Sequence, residues 1–190
     1  MKTLSHLLLI CALALFITSC NNDTKSNQTK ETDTVEKTDG DKKTGQAFIE
    51  DDEGKPNVLQ IAIGSKDHST LVAAVQAAEL ENALVNAGPL MVFAPTNDAF
   101  AALPEGTVEN LLKPENKDQL AHILKHHVTP GNYSKDFLKK FKKLGQASNG
   151  YVPVEVKGDD VFVGGAKILA SVPAGNGIVH VVDKVIIPEE

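Results

Sequence analysis

Residues 90–100 read LMVFAPTNDAF, and this stretch decides the fold of the chain. Its first five residues are all apolar, which predicts a strand that is buried on both faces. Pro95 should end that strand, because proline has no N–H to donate to a neighbouring strand. Phe93 is the largest side chain of the strand, and we expect it to anchor the strand in the core.

Three polar residues follow the proline, namely Thr96, Asn97 and Asp98. Side chains of these types cap helices or hydrogen-bond the nearby backbone. The apolar residues 99–103 then predict a short helix, which Phe100 should hold on the core. We interpret the corner as fold-specifying, with an active site as the alternative, because helix caps at such corners are more common than catalytic groups.

The composition predicts one globular domain with appendages, because the 190 residues are 42% apolar and 23% charged. Both cysteines, Cys11 and Cys20, lie near the N-terminus, so the rest of the chain has neither a disulfide framework nor a cysteine metal site. The net charge of −6 favours solubility without indicating a partner.

Every basic residue of the chain is a lysine, and arginine does not occur. Lysine is a point charge that cannot form the bidentate fork with which arginine binds phosphate or guanine. The composition therefore argues against nucleic acid as a partner.

Residues 1–19 have the pattern of an export signal, with Lys2 before an apolar core at 7–17. That core is too short to span a bilayer, which takes about 20 residues. The sequence ITSC at 17–20 resembles a bacterial lipobox, so we expect Cys20 to carry lipid, palmitate included, after cleavage. Ordinary cleavage that leaves a free Cys20 is the alternative.

Residues 20–46 should form a disordered tether behind the lipidated cysteine. The segment is rich in Asn, Thr, Asp and Lys, and Val35 is its only large apolar residue. Such a segment cannot bury enough surface to offset the entropy of ordering it. We expect a single folded domain over residues 47–190.

The first half of the domain has helical periodicity. Apolar residues from Ser69 onward recur at helical spacing, and Thr107 is the expected N-cap of a short helix. Asn116 and Gln119 resemble a capping box for a longer helix, which places His127 on its apolar face.

The second half has the period of a β-strand. Residues 151–156 alternate between apolar and other side chains, and Gly164-Gly165 indicates a hairpin. The last run, residues 178–187, is apolar on both faces and predicts a central strand. Helices followed by an antiparallel meander define an α+β fold class.

Three segments together resemble the fasciclin domain family. They are residues 91–100, residues 176–188, and residues 124–131, where His126 stands in the usual position of a tyrosine. The resemblance implies a β-wedge of two sheets packed with N-terminal and central helices. It also implies an extracellular, adhesion-related module, but residues 172–175 lack the acidic residue associated with integrin binding in animal members.

The histidines are the candidate chemistry of the domain. His122 and His126 are four residues apart and could present two imidazoles to a metal, although an exposed helix face without a metal is the favoured interpretation. We expect His127 and His180 to be buried and hydrogen-bonded, with Asp98 or the Thr96 hydroxyl as partners.

The motif residues are therefore predicted to be structural, and no catalytic residue, metal or cofactor is predicted. These structural residues are Pro95, Thr96, Asn97, Asp98, Phe100, His127, Asn176, Gly177 and His180. A second set of residues could form an anionic-ligand patch, with an ordinary solvated face as the alternative; these are Lys135, Lys139, Lys140, Lys142 and Lys143.

The expected function is a non-enzymatic interaction module of the cell envelope, held in the outer membrane by lipid on Cys20. Its expected partner is a protein or polysaccharide at a surface or in a matrix. The alternative is a periplasmic small-ligand-binding or stress-response lipoprotein, and a large closed apolar pocket would favour it.

Overall fold

The computed structural model describes residues 54–86 and 88–188. These residues lie within the compact unit Asp41–Glu190. The predicted signal, the predicted lipidation site at Cys20, the predicted tether at 20–46 and the first residues of the predicted domain lie outside the described residues. None of the helices described is long and apolar enough to cross a membrane.

Helices make up most of the first half of the described chain, as the periodicity predicted. They are α1 (Val58–Ile63), α2 (Ser69–Ala77), α3 (Glu81–Asn86), α4 (Asn97–Ala101), α5 (Thr107–Leu111), α6 (Lys117–His126) and α7 (Lys135–Leu138).

Strands dominate the second half, and two strands lie among the helices. They are β1 (Leu90–Pro95), β2 (Val128–Pro130), β3 (Lys143–Gly145), β4 (Tyr151–Lys157), β5 (Asp160–Val163), β6 (Ala166–Ala174) and β7 (Gly177–Val182). Their pairing order is β2-β1-β7-β6-β5-β4-β3, and β1 pairs with β7 in parallel whereas the other pairs are antiparallel. The α+β class is confirmed.

The strand β1 is buried along its whole length and ends at Pro95, as predicted. Successive side chains of a strand point to opposite faces, and β1 accordingly contributes to two cores. Val92 and Ala94 pack against the helices, whereas Met91 and Phe93 pack against strands β3–β6. One strand therefore forms the wall between the two halves of the domain.

The sheet folds over itself at β6. The first residues of β6 pair with β5, the rest pair with β7, and a bulge interrupts the register between Ile168 and Ala170. A bulge bends a strand and increases its twist. The two ends of the sheet can therefore face each other across one core, which is the two-sheet wedge that the family resemblance implied.

The last strand is shorter than predicted. β7 ends at Val182 rather than at residue 187. Asp183 still contacts Lys167 of β6, since its N–H donates to the Lys167 carbonyl at 3.2 Å and its carboxylate accepts from the Lys167 N–H at 2.7 Å. The apolar residues that follow are still used, since Ile186 is buried in the β-side core.

Two predicted helix caps differ from the structure: Asn116 occupies the N-cap position of α6 without capping it, and Thr107 lies one residue after the N-cap of α5. Asn116 makes no capping bond to α6; its amide instead donates to the carbonyl of Asn110, 2.7 Å away. Thr107 is the first residue of α5, and Gly106 precedes it with a left-handed φ of 77°. The capping box lies instead at the start of α1 and joins Asn57 to Gln60.

Candidate functional site

The corner after β1 forms as the sequence predicted at Thr96. The Thr96 hydroxyl accepts a hydrogen bond of 3.3 Å from the Ala99 N–H and caps α4. This cap starts the helix at Asn97, two residues before the predicted start. Phe100 is partly buried and packs against the helix-side core.

Asn97 is the residue that fastens the corner to the rest of the domain. Its carbonyl oxygen accepts from the Thr70 N–H at 3.0 Å and from the Ser69 hydroxyl at 3.3 Å, and its amide donates to the Lys66 carbonyl at 2.9 Å. One side chain thus joins the start of α4 to the start of α2.

The predicted pairing of Asp98 or the Thr96 hydroxyl with a buried histidine is wrong, because the ring nitrogens of His127 and His180 contact other groups. Asp98 is exposed, because α4 turns Asn97 and Ala99 toward the domain and leaves Asp98 facing solvent. Its carboxylate in the first turn of the helix has a favourable interaction with the helix dipole.

His127 is buried where α6 ends, and both of its ring nitrogens have backbone partners. Nδ1 lies 2.9 Å from the Ile123 carbonyl, and Nε2 lies 2.8 Å from the Ile186 N–H. A carbonyl only accepts, so Nδ1 carries the hydrogen and Nε2 accepts from Ile186. The neutral ring therefore joins α6 to the C-terminal segment, and burial lowers its pKa from 6.5 to about 4.

His180 lies at the centre of the β-side and is fully buried. Its Nε2 donates to the Tyr133 carbonyl at 3.0 Å, so in the neutral ring Nδ1 accepts from the Ser171 hydroxyl at 2.7 Å. The ring stacks on Phe93, with 5.7 Å between centroids. Burial lowers the pKa of His180.

Of the two histidines predicted to lie on an exposed face of α6, only His122 is exposed. His126 is buried, and its Nδ1 lies 2.8 Å from the Ser148 hydroxyl. The two imidazoles four residues apart therefore have different surroundings. Within residues 54–86 and 88–188, no three His, Cys, Asp or Glu side chains are grouped as metal ligands.

The Asn176-Gly177 turn, which begins the motif at residues 176–188, holds neighbouring elements together. The Asn176 side chain accepts from the Val58 N–H at 2.9 Å and donates to the Leu84 carbonyl at 2.8 Å, which ties α1 and α3 to the start of β7. Gly177 lies against the Leu90 carbonyl, and a Cβ at this position would overlap it.

The lysine cluster is more ordered than a plain solvated face. Lys139 forms an ion pair of 2.9 Å with Asp136, which raises the pKa of Lys139 and lowers that of Asp136. Lys135 donates to the Ile168 carbonyl at 3.4 Å. These two lysines are already engaged within the domain.

Two other lysines of the cluster lie over aromatic rings that are open to solvent. The Lys140 ammonium is 4.8 Å from the centroid of Phe137, and the Lys143 ammonium is 4.3 Å from that of Tyr151. Phe137 is 40% exposed and Tyr151 is 66% exposed. We call these four residues, together with Lys142, the lysine–aromatic patch.

An apolar cavity of about 250 Å³ lies between the helices and the sheet. Its wall is hydrocarbon apart from Lys125 and His127, and both ring nitrogens of His127 are already bonded to backbone. Its lining residues include Leu59, Ala83, Val92, Lys125, His127 and Val179.

The fasciclin domain model matches residues 66–188, and the chain belongs to this family. Protein sll1483 of Synechocystis sp. is 48% identical over 132 residues, which are 69% of this chain and 73% of that protein. The transforming growth factor-beta-induced protein ig-h3 of Sus scrofa is 36% identical over 69% of this chain and 19% of its own length. A FAS1 domain pair of the insect cell adhesion molecule fasciclin I aligns with a TM-score of 0.41 and 20% identity, covering 67% of this chain and 43% of that one.

The sequence did not reveal that Asn97 joins α4 to α2 by hydrogen bonds, nor that a cavity lies between the helices and the sheet. The motif contains Asn97 and Asp98 side by side, and nothing in a single sequence shows which of two adjacent polar residues faces the domain. The cavity residues resemble ordinary core positions, because apolar periodicity does not show how closely the faces meet.

The fastening role of Asn97 predicts a difference between two neighbouring substitutions. Asn97→Ala removes three hydrogen bonds and should lower the free energy of unfolding by about 1–3 kcal/mol. Asp98→Ala should change it by less than about 0.5 kcal/mol, because Asp98 is exposed. Urea denaturation followed by circular dichroism measures both values, and equal losses would contradict the assignment.

The buried His127 predicts that the domain loses stability in mild acid. Its pKa is about 4 in the folded state and near 6.5 when unfolded, so protons bind the unfolded chain more tightly. The free energy of unfolding therefore stays at its full value above pH 6.5 and falls by about 3 kcal/mol as the pH drops to 4, as far as His127 determines it. Protonation of Nε2 would also break the bond from the Ile186 N–H.

The measurement is the free energy of unfolding at several pH values between 4 and 7.5. His127→Gln should be less stable at pH 7.5 but should have a smaller slope in this range, whereas His122→Gln should keep the slope. An unchanged slope in His127→Gln would assign the acid sensitivity to other groups.

Proposed function

We propose that this chain is a non-enzymatic interaction module of the cell envelope. Lipid on Cys20 would hold it in the outer membrane, and the fasciclin domain would contact a surface, matrix or glycan component. Family membership supports this role, since the resemblance of the three motifs already implied an adhesion-related module.

The observation that carries the proposal is the lysine–aromatic patch. Lys140 and Lys143 lie over aromatic rings that are themselves exposed. Phe137 already stacks on Tyr133, with 5.4 Å between the ring centroids, so Tyr151 is the ring that we expect to stack on the apolar face of a sugar. The adjacent Lys143 ammonium can pair with a carboxylate or sulfate on that sugar. The patch therefore fits an acidic polysaccharide.

The absence of arginine narrows this choice of ligand. Lysine attracts an anion as a point charge and does not favour the planar geometry that a guanidinium imposes. Binding through lysines alone suits a polymer with repeated and dispersed negative charges. It suits a single tightly held phosphate less well.

The buried histidines support a non-enzymatic role. Ser171 donates to His180, which is the pairing of a nucleophile with a base, but burial lowers the pKa of His180 and weakens it as a base. The other nitrogen of the ring is held by the Tyr133 carbonyl. The pairing thus satisfies a buried polar ring, as the fold requires.

Binding to immobilised heparin, a sulfated polysaccharide, tests the patch. Lys140→Glu/Lys143→Glu should weaken binding at least about tenfold and reduce its salt dependence, because exposed charges act through screened attraction. Biolayer interferometry at several salt concentrations measures both effects.

The matched control for the patch is Lys113→Glu/Lys184→Glu, which makes the same change in net charge at two other exposed lysines. Equal losses in the two double variants would show that only net charge matters. Binding that does not depend on salt would also contradict the patch.

The lipid anchor has a separate test. Radioactive palmitate should label the chain expressed in a bacterium that processes lipoproteins, and Cys20→Ala should abolish the label. Cys11→Ala should leave the label in place, because Cys11 lies within the predicted signal. Persistent labelling of Cys20→Ala would overturn the anchor.

A further inference from the structure

The apolar cavity has the properties of a ligand site rather than of a water pocket. Buried water needs two to four polar partners. Here the wall is hydrocarbon apart from Lys125 and His127, and both nitrogens of His127 are bonded elsewhere. Water would therefore find few hydrogen-bond partners inside the cavity. An apolar molecule needs no such partners and can bind there.

The size of the cavity points in the same direction. Protein interiors are packed about as densely as organic crystals, with few voids larger than a water molecule. An apolar cavity of about 150 Å³ is enough to bind benzene. At about 250 Å³, this cavity can hold a substituted ring or a short aliphatic chain.

The cavity reaches the surface along one part of its rim. Leu59, Val92 and Val179 line its inner wall and are buried, whereas Ala83 and Lys125 line its rim and are exposed. A ligand can therefore enter beside α3 without unfolding either core. The end of that ligand would then lie in water.

The charge of Lys125 favours a negatively charged group at the end of the ligand that lies in water. Lys125 is the one charged side chain in the wall, and no described residue pairs with it in an ion pair. We propose that the cavity binds a small apolar monocarboxylate, with its hydrocarbon inside and its carboxylate at Lys125. The single lysine matches a single negative charge. A large closed apolar pocket would favour the small-ligand alternative, and this cavity has the apolar wall but is open at its rim.

A series of straight-chain carboxylates from butanoate to decanoate tests this site on the full chain. Isothermal titration calorimetry should show affinity rising about fourfold for each added CH₂ until the cavity is filled. Further carbons should then add little. The protein should also melt at a higher temperature in the presence of the tighter ligands, because they bind the folded state.

Two variants separate the cavity from non-specific binding. Ala83→Trp places a large ring at the rim and should reduce octanoate affinity at least about tenfold. Ala73→Trp is the matched control, because Ala73 is also an exposed helical alanine but does not line the cavity. It should leave octanoate affinity unchanged.

A third variant tests the carboxylate. Lys125→Met keeps the apolar stem and removes the charge, so it should weaken octanoate about three- to fivefold and leave octanol unchanged. The absence of binding by any chain length would overturn the site, as would equal binding by Ala83→Trp and Ala73→Trp. Equal losses of octanoate and octanol in Lys125→Met would overturn the role of the lysine. None of these results depends on heparin binding by the patch.

Discussion

The whole domain depends on the parallel pairing of β1 with β7. These two strands are neighbours in the sheet but far apart in the sequence, and their register places Phe93 opposite His180. Both strands are buried on both faces, so each supplies one row of side chains to the helix-side core and one to the β-side core. Neither core can form fully without this pairing, which explains why the two most recognisable segments of the sequence are the two that pair.

Hydrogen bonds from polar side chains join the surrounding elements to β1 and β7. Asn97 and Asn176 join helices to the ends of β1 and β7, and His127 joins α6 to the C-terminal segment. His180 joins β7 to β6 and to the Tyr133 backbone. A buried polar group that loses its partner costs more than the bond contributes, so these contacts select one arrangement of the halves.

Local chemistry explains which parts of the fold the sequence could predict. The apolar run, Pro95 and the Thr96 cap depend on neighbouring residues, and all three behave as predicted. The parallel β1–β7 pairing, the outward direction of Asp98 and the early end of β7 at Asp183 depend on residues far along the chain. Periodicity shows which residues face a core, but not which residue they meet there.

The cavity and the lysine–aromatic patch belong to different halves of the domain, and this division has a physical basis. Short helices joined by turns meet the sheet at few points, so imperfect packing between them can leave a void without breaking a ladder. The β-side is joined by backbone ladders from β3 to β7, and its exposed ring Tyr151 lies at the start of β4. The two sites are nevertheless close in the chain on one side, because Ala147 lines the cavity and follows β3, the strand that begins with Lys143.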